Sequence, residues 1–390
     1  MRHVLVVFGT RPEAIKMAPV VAAMKAREDA LRTTVCVTAQ HREMLDQVLS
    51  LFGIVPEVDL DLMKSGQSLA EVTSAVVTGI DAVLRERQPD AVLVHGDTTT
   101  AMAATLAAFY RQVPVGHVEA GLRSGRLDAP FPEEMNRVVV DRLATWGFAP
   151  TPGALENLRR EGFDERQVTV TGNTAIDALL HVRNRLAQVD IPVKALVGEP
   201  KRLVLVTAHR REAFGKPFAD VCAAIQAVAT SHPDVAFVYP VHLNPQVRGP
   251  ARERLSAANV HLLEPVDYAS LVWLLDRCEM VLTDSGGIQE EAPALGKPVL
   301  VLRDVTERPE LIEAGGGILV GTNPERIEAE AGRLLDDPLH RAAVGRPRSL
   351  FGDGRAAVRI AARLCGEAVR PWAPAAEAPA APPAAVPAAR

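Results

Sequence analysis

TDSGGIQEEAPALGKPVL, running from Thr283 to Leu300, decides how this chain of 390 residues is read. Three apolar residues, Met280, Val281 and Leu282, lead into Thr-Asp-Ser-Gly-Gly. A helix-forming segment follows from Ile288 to Leu295, then a short β-like run from Pro298 to Leu302. A strand that turns through Ser285-Gly286-Gly287 into a helix aims free backbone N–H groups and the positive end of a helix dipole at one point. Glycine there lets a diphosphate approach those donors, because no side chain intervenes. Glu290 and Glu291 fall about one turn into the helix, placed to accept from the hydroxyls of a ribose. The plainer reading is an ordinary strand–turn–helix corner. Ser285, the two carboxylates and Arg308 downstream favour a nucleotide-diphosphate site.

The same alternation of short apolar run and helical pattern extends outward in both directions. Leu203–Thr207, Val235–Pro240, Val260–Leu263 and Val299–Leu302 read as buried parallel strands in the second half. Val4–Phe8, Thr34–Thr38, Ala91–His95, Val113–Val118 and Val168–Thr171 read likewise in the first. Helical stretches such as Pro12–Arg27, Leu69–Arg87 and Phe218–Ala229 separate them, which indicates α/β, doubly wound Rossmann-like layers. The weakest patterning, about 185–200, places a linker between a first domain over 1–185 and a second over 200–353. A well-patterned C-terminal helix occupies 354–370, and the Ala/Pro run at 373–390 reads as a disordered tail.

Composition narrows the class. Hydrophobic residues at 48% and charged residues at 23% are ordinary for a globular protein. A net charge of −5 argues against a nucleic-acid footprint or a polybasic membrane surface. No apolar run approaches the roughly 20 residues needed to span a bilayer. The strand His3–Phe8 begins without a signal-peptide layout, so the expected location is the cytoplasm. Cys36, Cys222, Cys278 and Cys365 lie far apart without a CxxC, suggesting neither a disulfide framework nor a zinc site.

Ligands of open α/β sheets bind beyond the carboxyl ends of strands, and the remaining candidates sit there. After the first strand come Arg11 and Lys16, flanking a helix start at Pro12 and placed to meet an anion; they also read as solvent-facing cations. Asp97 follows the strand Ala91–His95 and reads equally as a helix N-cap. Glu119 ends the strand Val113–Val118, and Glu133 and Glu134 open a helix where the dipole favours acids. Carboxylates grouped at loop tips raise one another's pKa, which suits proton transfer. His209, with Arg210 and Arg211, follows the first strand of the second half and suits either a phosphate contact or a structural role. None of these spacings matches a metal motif such as HExxH, so no metal is expected.

The runs FGTRPEAIKMAP (Phe8–Pro19), VTAQHREMLDQVL (Val37–Leu49), VHGDTTT (Val94–Thr100), GHVEAGLR (Gly116–Arg123), PEEMNR (Pro132–Arg137), TGNTAIDAL (Thr171–Leu179) and Thr283–Glu310 closely resemble the bacterial non-hydrolysing UDP-N-acetylglucosamine 2-epimerases. The similarity extends from residue 1 to about residue 368. It implies a glycosyltransferase-B-like fold with its active site in the interdomain cleft and a C-terminal helix crossing back to the first domain. It also implies a cytoplasmic homodimer, without a dissociable cofactor, that interconverts UDP-GlcNAc and UDP-ManNAc for polysaccharide synthesis. Carried onto matching positions, the substrate contacts would be Arg11, Lys16, Asp97, Glu119, His209, Ser285, Gly286, Gly287, Glu291 and Arg308. Asp97, Glu119, Glu133 and His209 would be catalytic.

Four positions depart from the pattern of some members. Val266 and Leu271 stand where those members carry a glutamine and a phenylalanine as substrate contacts. A lost aromatic contact is worth about 0.5–1.5 kcal/mol beyond area. A second, activating UDP-GlcNAc is implied beside the active site, held by Gln40, His41 and Glu43 with Arg210 and His242. Glu43 replaces a glutamine there and Gly66 an arginine. Rival readings on the same residues are a UDP-GlcNAc-dependent glycosyltransferase, a hydrolysing 2-epimerase and a silent nucleotide-sugar sensor.

Overall fold

The computed structural model describes residues 1–38, 42–62, 64 and 66–374, without the side chains of 42 and 43. Gln40, His41, the Glu43 side chain and the tail from 375 onward therefore lie outside the described residues. The chain divides into two compact units. The first comprises Met1–Ile191, Asp267–Trp273 and Phe351–Ala373; the second comprises Pro192–Val266, Leu274–Leu350 and the chain end.

Among the described residues the first unit carries a seven-stranded sheet. Its strands are β1 (Arg2–Phe8), β2 (Leu31–Val37), β3 (Val58–Asp59), β4 (Ala91–His95), β5 (Val115–Val118), β6 (Trp146–Ala149) and β7 (Val168–Val170). They lie in the order β3-β2-β1-β4-β5-β6-β7, and every recorded pairing is parallel. The chain leaves β1 toward β2 and β3, then returns to lay β4 on β1's other side, with Val4 opposite Ala91. That reversal is the switch point where loops diverge and a ligand has room. Alternate side chains of β1 feed both faces. Val4, Val6 and Phe8 pack with Ala14, Met17 and Val21 of the helix Arg11–Lys25, while Leu5 and Val7 pack with Val76, Ile80 and Ala104. The helix Ala356–Leu364 adds Ala357, Ile360, Ala361 and Leu364 to the first of these clusters.

The second unit repeats the scheme with β8 (Leu203–Thr207), β9 (Ala236–Pro240), β10 (Val260–Leu263), β11 (Met280–Thr283), β12 (Val299–Val301) and β13 (Gly317–Leu319). Their order is β10-β9-β8-β11-β12-β13, with the switch point at β8 and β11. Val204, Val206, Leu282 and Leu300 pack there with Phe218, Ile225 and Leu334.

Three strands escape the sequence reading: β3, β6 and β13. Boundaries also move. The second strand starts at Leu31, earlier than Thr34, and β5 at Val115, later than Val113. The helix after Thr283 starts at Gly286, two residues before Ile288, and the C-terminal helix spans Ala356–Leu364, shorter than the expected 354–370. No described helix is long and apolar enough to cross a membrane.

Candidate active site

At the β1/β4 switch point a cavity of about 460 Å³ is lined by Thr10, Lys16, His95, Asp97, Glu119, Glu133 and Asn136, among others. Each side chain arrives there for a local reason. Thr10 caps the helix Arg11–Lys25 in a capping box: its hydroxyl accepts from Glu13 N, and Glu13 returns its carboxylate to Thr10 N at 2.8 Å. The same carboxylate accepts from Gly9 N at 3.1 Å and from the Thr98 hydroxyl at 2.7 Å, tying the loops after β1 and β4 together. Burial raises the Glu13 pKa, with the Thr98 and Thr10 bonds opposing it.

Asp97 is not a helix cap. That role falls to Thr98, whose hydroxyl accepts from Ala101 N at 3.0 Å. The Asp97 carboxylate instead pairs with Arg137, and its carbonyl accepts from Asn136 Nδ2 at 2.9 Å. Gly96 before it holds φ of 65°, a left-handed conformation that glycine adopts without strain. Its carbonyl is braced by His117 Nε2 at 2.8 Å, while His117 Nδ1 lies 2.5 Å from Asp141. Both ring nitrogens thus face acceptors.

Glu119 follows β5 with φ of 70°, uncommon for a residue with a side chain. Its Oε2 receives Lys16 and, at 3.0 Å, Asn173 Nδ2; His95 Nε2 stands 3.7 Å away. Burial pushes this carboxyl up, but Lys16 and His95 together outweigh it and hold Glu119 well below the usual carboxylate range. The grouping of acids was expected to raise pKa values; at Glu119 the neighbours Lys16 and His95 reverse that direction. Glu133 opens the helix Glu133–Leu143 and lines the cavity, whereas its neighbour Glu134 is buried and accepts from Ser124 N and Gly125 N at 2.9 and 3.0 Å. Arg11 begins the helix beside this cavity, and burial lowers its pKa against the pull of Asp267.

At the β8/β11 switch point the second unit gathers its own set. Asp284 is 2% exposed and accepts from the backbone N–H groups of His209 and Arg210 at 2.6 and 2.7 Å, folding the loop after β8 against the end of β11. The helix Gly286–Ala294 opens with Ser285 at its cap, and that hydroxyl makes no capping bond. A Cβ on Gly286 would lie 3.8 Å from Arg308 Nη2 and 3.9 Å from Arg210 Nη2, so two guanidinium groups stand over the helix N-terminus. Arg308 Nε donates to Glu290 at 2.6 Å, and Glu291 is buried beside it in the same helix. Glu290 is thus a partner of Arg308, not a group held out toward solvent. The His209 ring stacks on His242 at 5.4 Å and 10°. Burial lowers the His209 pKa, with Asp284 opposing and His242 and Arg210 adding to the fall.

His209, Arg210, His242, Ser285, Gly286, Gly287 and Arg308 are therefore brought to one end of the second sheet. Asp97, Glu119, Glu133 and Lys16 are brought to one cavity of the first unit. Val266 lies half-buried in the loop after β10, and Leu271 half-buried on the helix Tyr268–Arg277; neither lines that cavity. The structure adds His95, Asn136 and Asn173 to the first set and Asp284 to the second. His95, Asn173 and Asp284 sit at or just past a strand end, the one signal in the sequence that marks them, whereas Asn136 lies in the first turn of the helix Glu133–Leu143. A second cavity of about 190 Å³, lined by Arg142, Leu158 and Phe163 among others, contains none of the residues singled out in the sequence.

Two Rossmann-like units, one with acids and one with cations and helix-end N–H groups at the switch point, define a protein of the glycosyltransferase-B-like class. The family model for UDP-N-acetylglucosamine 2-epimerase matches residues 22–365. A UDP-N-acetylglucosamine 2-epimerase of Escherichia coli K12 is 52% identical over 364 residues, covering 92% of this chain and 96% of that protein. The crystal structure of the Neisseria meningitidis UDP-GlcNAc 2-epimerase bound to UDP-GlcNAc is similar with a TM-score of 0.87 at 46% identity, over 94% of this chain and all (100%) of that one. The Methanocaldococcus jannaschii enzyme in complex with UDP-GlcNAc and UDP gives 0.78 at 32% identity, over 93% and 99%. The chain belongs to the UDP-N-acetylglucosamine 2-epimerase family.

Proposed function

We propose that this protein interconverts UDP-GlcNAc and UDP-ManNAc by expelling UDP to leave 2-acetamidoglucal and adding it back with the opposite configuration at carbon 2. The observation that carries the reading is the pairing of two sets of groups within one epimerase-family chain: acids in one unit and a diphosphate cradle in the other. The chemistry needs both. The hydrogen on carbon 2 is not acidic, because carbon 1 is an acetal and offers no carbonyl to stabilise a carbanion. Losing UDP from carbon 1 as that proton leaves avoids the carbanion.

In the second unit, Arg308, Arg210 and the N–H groups at Gly286 and Gly287 stabilise the charge that builds on the departing diphosphate. His209, stacked on His242 at the same end of the sheet, supplies a further hydrogen bond to that diphosphate. In the first unit, Asp97, Glu119 and Glu133 handle the protons. Glu119, held ionised by Lys16 and His95, enters the reaction as a carboxylate. The remaining site assignments, Arg11, Val266, Leu271 and Glu291, follow the family resemblance. So do the homodimeric state, the cytoplasmic location and the supply of polysaccharide synthesis.

Proton NMR of UDP-GlcNAc incubated with the protein in deuterium oxide tests the reading. UDP-ManNAc carrying deuterium at carbon 2 is the expected product. Free ManNAc with UDP would make the chain a hydrolysing enzyme, sugar transfer to an added acceptor would make it a transferase, and no turnover would overturn the proposal.

A further inference from the structure

His95 ends β4 and is 4% exposed, yet neither ring nitrogen has a hydrogen-bond partner among the described residues. Buried polar groups are nearly always paired, so an imidazole with both nitrogens unengaged calls for a reason. The ring lines the cavity of the candidate site, and its Nε2 stands 3.7 Å from Glu119 Oε2, the oxygen that Lys16 and Asn173 already hold. Most histidines that brace a carboxylate are themselves fixed by a second bond, as His117 is between Asp141 and the Gly96 carbonyl. His95 has no such second bond, so nothing fixes its tautomer.

We propose that His95 is a positioning residue for the epimerisation, holding Glu119 oriented while Lys16 and Asn173 hold the same oxygen. The inference rests on the proposed role of Glu119 in proton handling. The charged groups around the ring are Glu13 and Lys16 on the helix Arg11–Lys25, Asp97 two residues on, Glu119 after β5, and Glu133 at the start of its helix, all lining one cavity. Two of these acids, Glu13 and Glu119, lie close enough to feel a charge on the ring, and both are favoured in ionised form by it. Glu13 is committed to the backbone of Gly9 and Thr10, so the part of this influence that reaches the chemistry passes through Glu119.

The test compares His95→Leu, which removes both nitrogens, with His95→Gln, whose amide can reach the Nε2 position but cannot be protonated. His95→Leu should lower kcat at least about tenfold while KM changes by less than about threefold, the pattern of a group acting on the reaction more than on binding. In both variants the acid limb of the kcat–pH profile should move to higher pH, because Glu119 loses a neighbour that lowers its pKa. His95→Gln should recover most of the lost kcat at neutral pH, and it serves for the profile if His95→Leu does not fold. Wild-type kcat with an unmoved acid limb in either folded variant would overturn the proposal, as would a kcat loss matched by an equal loss of UDP-GlcNAc binding. Glu119→Gln run in parallel separates the two readings. If it turns over normally, the role of Glu119 itself falls; if it is impaired while the His95 variants are normal, the His95 inference alone fails.

Discussion

Glu133 and Glu134 are adjacent in the chain and divided in role by one peptide of helix. Glu134 is 1% exposed and committed to the N–H groups of Ser124 and Gly125 and to Arg137 at 3.1 Å, so it builds the loop ahead of its helix. Glu133 lines the cavity with Asp97 and Glu119. Asp97→Asn, Glu119→Gln and Glu133→Gln should each lower kcat by at least about 10²-fold, the usual scale for general acid–base groups, with substrate affinity changing less because the amides preserve shape. Glu134→Gln should leave kcat near normal while lowering stability by about 1–3 kcal/mol, through weakened buried bonds to the Ser124 and Gly125 N–H groups and to Arg137. Steady-state kinetics and thermal melts of the four variants measure both. Near-normal turnover in the first three would return those acids to a structural role.

The helix Ala356–Leu364 shows how one element is held by another. Its N-cap residue Arg355 makes no side-chain capping bond; Asp177, on the helix Thr174–Arg183, accepts from Ala357 N at 2.9 Å and Ala356 N at 3.2 Å instead. Burial lifts the Asp177 pKa from 3.8 to about 6, with those two N–H bonds opposing it. A raised carboxyl contributes stability below its unfolded value, and that contribution is lost as pH rises through the folded one. The difference amounts to about 3 kcal/mol at most, at roughly 1.4 kcal/mol per pH unit. Asp177→Asn keeps an acceptor without the charge, so the wild type should lose melting temperature relative to it between pH 4 and pH 7, about the window these values span. Parallel melts across that range check the sign; a constant difference would count against it.

Much of this architecture was legible because β1, β4, β8 and β11 are continuous apolar runs followed by helix-start residues, which buried parallel strands require. β6 and β13 were missed because Trp146-Gly147-Phe148-Ala149 and Gly317-Ile318-Leu319 are short and begin in or contain glycine, so they carry the pattern of turns. β3 is two residues at an edge and has no pattern to show. In the site, acids at strand ends stood out by their chemistry. The direction of the Glu119 shift did not, because Lys16 lies 103 positions away in the chain and His95 stands on a different strand.

At the scale of the whole molecule, the second UDP-GlcNAc site implied by the resemblance depends on positions that differ here. Gly66 holds φ of 79°, a left-handed conformation that an arginine would adopt only under strain. By the same resemblance, Glu43 would add a negative charge where a diphosphate binds. Activation should therefore be weakened. UDP-ManNAc supplied as the sole substrate should react at a detectable rate, rising when UDP-GlcNAc is added; a reaction with no rate until trace UDP-GlcNAc is present would show the site intact.

The packing of Ala357, Ile360, Ala361 and Leu364 against Met17, Val20 and Val21 joins residues made at opposite ends of synthesis. A ribosome delivers the helix Arg11–Lys25 hundreds of residues before its covering helix exists. Met17, Val20, Val21 and Met24 consequently lack that part of their cover for nearly the whole elongation time, while the second unit emerges and closes its own core. The unit that starts first is completed last. Its nascent apolar face is then the surface on which a growing chain is exposed to chaperones, proteases and its neighbours on the polysome.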